Sequence, residues 1–500
     1  MQRLPLIGGS YSARSIIASC QRCINLFPEI NPKDSIVPVT HYQRSGLRPL
    51  VSGPAAPVRG VFRASNDNGY CVIGQNVYSV STDWQLTLLG TLQSIRTTPV
   101  SMTDNGITLL LVDGSQYGYT IEIDSNTFGV FNDPTGLFQG ADRVDYLDTF
   151  TLFNFPGTNR FGSTLSNTLD IDPLYFAAKT TYPDALQSLI VNKREILLIG
   201  KLKTEIWFNA GLQFFPFTEL PGAYFEHGTV AKYSIASQDI AVYWLGQDLQ
   251  GQGIVFRAKG YDCKRISNHA LEYQIGLMAA EGTISDAIGL TFQQGGHVFY
   301  ALCFPSGDQT WLFDESTEQW CQWAWTGQDG LLHRHRMNCG AFLHGLNVVG
   351  DWENGTIYAQ DIKVHTDTVA GVSGPISFVR TFPHIGITAI LNQVGTQSPM
   401  NADGKRVQYG SFVADIECGN GPLDANGNPA TIALRWSDDR GKTWGTEILQ
   451  SSGAPGEWIT QPKWAGMLGV ARDRVFELQY SINGEAALNG AWVDAKVLAS

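Results

Sequence analysis

The sequence predicts an all-β protein: a β-propeller with six blades over residues 61–370, an N-terminal arm over 1–60 and a C-terminal antiparallel, sandwich-like β domain over 371–500. Three observations predict this fold class. Strand-like runs joined by glycine turns recur at a regular interval in the middle of the chain. The 500 residues include 53 glycines and 11% aromatic residues but only 16% charged residues, a composition suited to short strands and tight turns. Beyond residue 370 the chain alternates apolar and polar side chains, the period of half-buried strands.

Seven strand–turn–strand segments carry the repeat in the middle of the chain. One of them, "GITLLLVDGSQYGYTIEI", turns at Asp113-Gly114. The turn glycines are Gly74, Gly114, Gly157, Gly200, Gly246 or Gly251, Gly307 and Gly355. The six intervals from Gly74 to Gly355 span 281 residues, about 47 each, close to the roughly 40–50 residues of a four-stranded propeller blade. A stack of β-sandwiches with irregular turns is the alternative, and regularity over seven units favours the propeller.

Two short helices are expected among these strands. One lies within "SARSIIASCQRCINLFPEI" in the N-terminal arm. The other covers "NHALEYQIGLMAA", with Asn268 as its N-cap.

Charge and cysteine usage exclude some classes of protein. The formal net charge of −12 argues against a surface that grips nucleic acid phosphates. We expect no signal peptide and no membrane-spanning segment, because the chain has no apolar run of the required length. Eight cysteines without disulfide-framework spacing indicate reduced thiols in a protein made in a cytosol.

Two short motifs have the spacing of metal ligands. Cys20 and Cys23 form a C-x-x-C pair, but no second pair completes the four ligands of a closed zinc site. His333 and His335 would share one face of a strand near Cys339, without nearby carboxylates to complete a ligand set. We interpret the first motif as two thiols on the arm and the second as a polar blade face or subunit contact. No metal or cofactor site is predicted.

The stretch "RWSDDRGKTW" contains an Asp-box, the pattern S-x-D-x-G-x-x-W that occurs repeatedly in sialidases, formed here by Ser437, Asp439, Gly441 and Trp444. We expect a structural hairpin. Gly441 supplies a positive φ, the Asp439 carboxylate accepts backbone amides, Ser437 adds a second such bond, and Trp444 covers the turn. A sialidase would also need an arginine cluster, a Tyr/Glu pair and several boxes. The chain has a single complete box, so we expect no catalytic residues and no enzyme.

Several stretches, in a consistent order along nearly the whole chain, carry a family resemblance. The first are "QRCINLFPE", "RSGLRPL", with Ser45 where the family has proline, and "PVRGV". Later ones include "EIWFNAGLQFFPF", "GHVFYALCFPSGDQTWLFDESTEQW" and "GVARDRVFELQYS". The motif positions in the first stretches are Asn25, Pro28, Glu29, Arg59 and Gly60. Together these stretches resemble the tail hub, or nozzle, proteins of short-tailed bacteriophages, often called packaged-DNA-stabilisation proteins.

The resemblance implies a structural virion protein of the phage tail that forms a homo-hexameric ring below the portal-adaptor protein. Tail spikes or fibres and a needle or plug would be its other partners. Packaged double-stranded DNA would be retained and would pass through the ring at ejection without specific binding. The protein would assemble in the cytoplasm of the bacterial host and would not insert into a membrane. Two alternatives stay open: a sialidase-like or depolymerase propeller acting on host-surface glycan, and a non-catalytic glycan-binding module.

Overall fold

The computed structural model describes residues 2–4, 8–248, 250–386 and 405–498. Apart from one helix, the regular structure of these residues is β-strand, which confirms the predicted all-β fold class. Seven short strands precede the first complete sheet: β1 (Gln2–Leu4), β2 (Tyr11–Ser12), β3 (Cys20–Gln21), β4 (Cys23–Ile24), β5 (Leu26–Ile30), β6 (Val39–Gln43) and β7 (Gly46–Ser52).

The helix expected within "SARSIIASCQRCINLFPEI" is wrong. Strands β2 and β3 pair as a hairpin, with Ser12 opposite Cys20. The Ala13 amide donates to the Ser19 carbonyl at 3.0 Å, so the intervening backbone closes a loop across the hairpin and forms no i to i+4 ladder.

Five four-stranded antiparallel sheets follow in chain order. Their strands are β8 (Val58–Arg63), β9 (Gly69–Ile73), β10 (Asn76–Val80), β11 (Leu86–Thr91); β12 (Ser101–Asp104), β13 (Thr108–Val112), β14 (Gly118–Glu122), β15 (Thr127–Val130); β16 (Val144–Leu147), β17 (Phe150–Asn154), β18 (Arg160–Ser163), β19 (Phe176–Ala178); β20 (Leu186–Asn192), β21 (Glu195–Gly200), β22 (Thr204–Asn209), β23 (Phe217–Phe225); and β24 (Ala236–Gln238), β25 (Ala241–Gln247), β26 (Gly253–Lys259), β27 (Asp262–Arg265).

The helix α1 (His269–Glu281) follows the fifth sheet, at the position predicted from the sequence. The Asn268 side chain accepts a hydrogen bond from the Leu271 amide at 2.9 Å, which confirms it as the N-cap. The strands after the helix are β28 (Ile288–Gln294), β29 (His297–Phe304), β30 (Gln309–Asp314), β31 (Gln319–Thr326), β32 (Leu332–Arg334), β33 (Met337–Leu343), β34 (Leu346–Asp351) and β35 (Thr356–Asp361).

Strands β28 to β31 form a sixth four-stranded unit, and β33 to β35 form a seventh that is completed by β7. Strand β7 pairs antiparallel with β35, with Gly46 opposite Asp361. The described residues therefore form seven four-stranded units, one more than the six blades expected. The outer strand of the seventh comes from residues assigned to the N-terminal arm, more than 300 residues away in sequence, so the local pattern around Gly355 did not indicate where the fourth strand comes from.

Buried apolar clusters lie between neighbouring units all around the propeller. The cluster between the seventh and first units contains Val58 and Cys71 from one side and Leu343 and Val348 from the other. The units are thus packed into a closed ring, as a propeller requires. Central strands such as β13 (TLLLV) are buried along their whole length, which explains their continuous apolar sequence.

The remaining strands are β36 (Thr366–Val369), β37 (Val372–Pro375), β38 (Phe378–Thr381), β39 (Ile385–Gly386), β40 (Val407–Ile416), β41 (Thr431–Ser437), β42 (Ile448–Ser451), β43 (Lys463–Ala471), β44 (Asp473–Tyr480) and β45 (Leu488–Val497). One sheet has the order β43-β40-β45-β6-β5, with β1 also paired to β45. A second contains β4-β38-β44-β41-β42. The strands of both sheets contribute to one apolar core that includes Phe412, Trp464 and Phe476, and we refer to this unit as the sandwich.

Strand β4 joins the sandwich to the propeller. Ile24 pairs in parallel with Gln322 of β31 and antiparallel with Val379 of β38. The sixth unit and one sheet of the sandwich are consequently parts of a single hydrogen-bonded sheet.

Candidate functional site

Asn25 is the centre of the junction between propeller and sandwich. It has a φ of 59°, a left-handed conformation that asparagine tolerates better than most residues, and its side chain is fully buried. Its Oδ1 accepts hydrogen bonds from the Arg44 Nε at 2.8 Å and the Ala324 amide at 2.7 Å. Its Nδ2 donates to the Ser377 carbonyl at 2.8 Å. One side chain therefore connects β31, the N-terminal segment and the segment that enters the sandwich.

Arg44 extends this network. Its guanidinium forms a two-pronged ion pair with Asp367, in which Nη1 donates to Oδ1 at 3.0 Å and Nη2 donates to Oδ2. Nη2 also donates to the Ala324 carbonyl at 3.0 Å, and Asp367 Oδ1 accepts from the Leu47 amide at 3.2 Å. The Arg44 side chain is 0% exposed and that of Asp367 is 4% exposed. Removing one member of such a pair leaves a buried charge, so the network strongly favours one geometry of the junction.

Pro28 and Glu29 lie on β5, within the sandwich sheet. Pro28 is opposite His41 of β6. Glu29 reaches the propeller, where its Oε2 lies 3.3 Å from Nε2 of His297, and Nδ1 of His297 lies 2.9 Å from Asp314. The hydrogen bond with Asp314, followed by the contact with Glu29, raises the pKa of His297 above its ordinary value.

Arg59 and Gly60 hold the first two blades together. The Arg59 side chain is fully buried and donates to the Thr98 carbonyl at 2.7 Å and to Asp113 at 3.1 Å. Burial lowers the pKa of Arg59. Burial alone would raise the pKa of Asp113, but hydrogen bonds from Ser115 and Arg59 outweigh this effect and lower it. A Cβ on Gly60 would lie 2.5 Å from Cγ2 of Val100 on the next blade. Both positions are therefore explained by packing between blades.

The Asp-box forms a tight turn after β41. Ser437 Oγ accepts from the Gly441 amide at 2.7 Å, and Asp439 Oδ1 accepts from the amides of Lys442 and Thr443 at 3.0 and 2.8 Å. Gly441 has a φ of 95°. Hydrogen bonds from Thr443 and Ser437 hold the pKa of Asp439 well below its ordinary value. Trp444 is half-buried, with the Arg435 guanidinium 5.3 Å from its ring centre.

The turn also contacts the N-terminal hairpin. A Cβ on Gly441 would lie 2.9 Å from the Cys20 sulfur, so the glycine permits close packing there. Arg440 pairs with Asp473 at 3.1 Å. Asp473 lies 3.3 Å from Nδ1 of His384, and this contact is the first cause that raises the pKa of His384 to about 10. Gly441 thus allows the box to pack directly against the hairpin.

The candidate metal motifs are separated in the structure. His333 contacts Asp308 at 2.8 Å and Asp329 at 3.1 Å, whereas His335 is fully buried, and burial lowers its pKa. Cys20 and Cys23 are both buried. Among the described residues, no three His, Cys, Asp or Glu side chains are grouped so that they would hold a metal ion.

Sequence reasoning missed three residues of these networks. Asp367 and Asp113 have no local signal, because their arginine partners lie 323 and 54 positions away. Arg44 stands in the quoted stretch "RSGLRPL", where its burial could have been suspected from the adjacent apolar strand. No helix in the described part of the chain is long and apolar enough to cross a membrane.

Comparison with protein families gives two matches. A family model described as the β-propeller of bacteriophage P22 Gp10 matches residues 2–365. A second, described as the β-sandwich of bacteriophage P22 Gp10, matches residues 396–496. A comparison with individually curated proteins gave no match.

Solved structures resemble the chain only in part. The WD40 β-propeller domain of Doa1 is 10% identical and covers 63% of this chain and 98% of its own, with a TM-score of 0.39. The N-terminal domain of Nup159 is 9% identical, covering 66% and 97%, with a TM-score of 0.38. A computationally designed protein, Ika8, is 11% identical, covering 68% and 99%, with a TM-score of 0.37. These scores are too low to support an argument about function.

Proposed function

The chain belongs to the bacteriophage P22 Gp10 family of structural phage tail proteins, and from this premise we propose that it forms the hub ring of a phage tail. Six copies would form the ring below the portal-adaptor protein, retain packaged DNA and pass it at ejection. Tail spikes or fibres and a needle or plug would dock on it. Assembly would take place in the cytoplasm of the bacterial host.

The single observation that carries the proposal is the order and extent of the two family matches. The propeller match and the sandwich match follow one another and together cover nearly the whole chain. The buried junction around Asn25 supports a mechanical role, because it joins the two units through a continuous sheet and a desolvated ion pair. A ring component that carries load would need such a fixed junction.

The charge of the chain supports passage of DNA without specific binding. Six copies at −12 each would carry about −72 formal charges. Where such charge faces a bore, it repels the phosphate backbone and shortens pauses of the duplex. A mobility-shift assay with double-stranded DNA at physiological salt should show no retention by the chain. Micromolar binding would contradict this part of the proposal.

We propose that the protein has no catalytic activity. The Asp-box side chains bond to their own turn, and each of the two neighbouring carboxylates is already engaged: Asp439 by the turn amides and Asp438 by Arg474 at 2.6 Å. Most glycosidases need a pair of carboxylates facing a common bond, and sialidases need a Tyr/Glu pair instead. The box therefore supports a structural role.

The alternative of a glycan-binding module depends on exposed aromatic rings. Trp458 is the one tryptophan of the described residues that is largely exposed, at 73%. Trp325 and Trp352 flank the Arg336 guanidinium at 4.7 and 4.0 Å, so one face of each ring is already covered. A sugar platform built from several rings is not favoured by this arrangement.

The decisive experiment measures the mass of the purified full chain in solution, alone and after mixing with its portal-adaptor protein. We expect a complex that contains six copies of the chain on the adaptor. The adaptor alone and the chain alone are the controls. In parallel, the chain and its Asp439→Ala variant are incubated with host-surface polysaccharide and assayed for reducing sugar, with no release expected from either.

A chain that stays monomeric with the adaptor and releases reducing sugar would overturn the proposal in favour of a depolymerase. A monomer that binds polysaccharide without cleaving it would favour the glycan-binding module. The functional division into 1–60, 61–370 and 371–500 stays a prediction. It would be tested by mapping adaptor and fibre contacts to each part by cross-linking.

A further inference from the structure

Two buried thiols lie side by side where β4 meets the sixth blade. The sulfur atoms of Cys23 and Cys321 are 3.7 Å apart, and the two residues are 0% and 2% exposed. Strands β4 and β31 run parallel with Ile24 opposite Gln322, so Cys23 and Cys321 stand opposite one another one position earlier. Neighbouring strands are about 5 Å apart, which is within the range of Cα separations that a disulfide spans.

The surroundings distinguish the two thiols. Cys321 donates a hydrogen bond to the Cys23 sulfur, the buried His41 side chain lies beside it, and the buried Arg380 guanidinium adds positive charge. Burial opposes ionisation, but these three groups outweigh it and lower the pKa of Cys23 well below its ordinary value. The hydrogen bond to Cys23, together with burial, raises the pKa of Cys321. Cys23, whose thiol also donates to the Leu26 carbonyl at 3.4 Å, is therefore the thiol of the pair that ionises more readily and acts as the nucleophile, and Cys321 is positioned to react with it.

We propose that Cys23 and Cys321 are a hydroperoxide-reactive pair that closes a disulfide between β4 and the sixth blade. In the first step the Cys23 thiolate attacks one oxygen of hydrogen peroxide, which breaks the O–O bond and gives a sulfenic acid and hydroxide. In the second step the Cys321 sulfur attacks the Cys23 sulfur, the S–S bond forms, and the sulfenic oxygen leaves as water. Two thiols are oxidised and one peroxide is reduced to two waters.

The burial of Cys23 and Cys321 determines which oxidants can reach them. A small neutral peroxide diffuses through transient openings of a packed interior, whereas glutathione disulfide is too large and too charged to reach a site that is almost unexposed. The adjacent Cys321 intercepts the sulfenic acid before it is oxidised further. The bond links residues 298 positions apart and fixes the strand that joins propeller and sandwich. This inference does not depend on the tail function.

The test treats the reduced full chain with hydrogen peroxide and maps its thiols by mass spectrometry. The expected result is a loss of two hydrogen atoms from the intact mass, a non-reducing proteolytic peptide that joins Cys23 to Cys321, and reversal by dithiothreitol. The Cys321→Ser variant should instead accumulate a sulfenic acid at Cys23 that dimedone traps. Cys303→Ser is the matched control, because Cys303 is equally buried and burial raises its pKa to about 11. The Cys303→Ser variant should form the disulfide between Cys23 and Cys321 as the wild type does.

Because a disulfide that closes so long a loop restricts the unfolded chain, oxidation should raise the melting temperature of the wild type by roughly 5 °C or more. The rise should be absent in Cys321→Ser. Peroxide labelling that falls first on Cys20 or Cys303, a disulfide between other partners, or complete resistance of the native chain at peroxide concentrations that oxidise free cysteine would each overturn the proposal.

Discussion

Asn25 allows the strongest quantitative test of the junction. An Asn25→Ala substitution removes the acceptor of the Arg44 Nε and the Ala324 amide and the donor to the Ser377 carbonyl. Each buried polar group left without a partner costs about 1–3 kcal/mol. Placing alanine at a φ of 59° adds about 1 kcal/mol. We therefore expect the free energy of unfolding to fall by at least about 4 kcal/mol.

The assay is equilibrium unfolding in urea, followed by tryptophan fluorescence. Asn167→Ala is the matched control, because Asn167 has a φ of 61° but an exposed side chain, and it should lose only about 1 kcal/mol. An Asn25→Gly variant separates the two contributions, since it tolerates the left-handed backbone and should be about 1 kcal/mol more stable than Asn25→Ala. If Asn25→Ala loses no more stability than Asn167→Ala, the junction network is not what holds the two units together.

Three further predictions follow from the packing of the blades. Asp113→Ala should lower the free energy of unfolding by about 3–5 kcal/mol in urea, because it leaves the Arg59 charge buried without its partner; a loss below that of an ordinary surface substitution would contradict this. Stabilisation by His297, whose pKa is raised above its ordinary 6.5, should be complete below that pH and lost as the pH rises through the raised pKa. Melting temperatures of wild type and His297→Gln should therefore converge at alkaline pH, and a constant difference would refute the reasoning. Gly60→Ala should lose about 1–3 kcal/mol through a clash with the next blade, whereas Gly374→Ala, with open space around it, should change stability by no more than about 0.5 kcal/mol.

Local features of the fold could be read from the sequence. Each of the seven glycine turns lies in one of the seven four-stranded units. These turns could be predicted because a tight turn needs a particular residue type at a particular place. The helix after Asn268 was predictable for the same reason, since its cap is local. The side-chain hydrogen bonds of Ser437 and Asp439 in the Asp-box are likewise confined to residues 437–443.

Partners that are distant in sequence could not be predicted. Nothing in "GLRPLVS" indicates that it pairs with residues 356–361, and nothing near Cys23 indicates Cys321. The alternation of apolar and polar residues along a strand indicates which face is buried, but it does not indicate which strand lies beside it. For this reason the motif positions Asn25 and Arg59 could be identified by resemblance, while their roles as buried connectors required the structure.

The pairing of β1 and β6 with β45 has a consequence for biosynthesis. Gln2 lies opposite Val493, and His41 lies opposite Leu488. While the chain is being translated, β1 lacks its partner and β6 is paired only with β5 until residues 488–497 have left the ribosome, by which time the intervening blades can already have folded. Such a high contact order makes closure of the sandwich a late and slow event. Unfinished chains therefore lack the completed sandwich, and a product truncated before residue 488 leaves β1 without its partner strand.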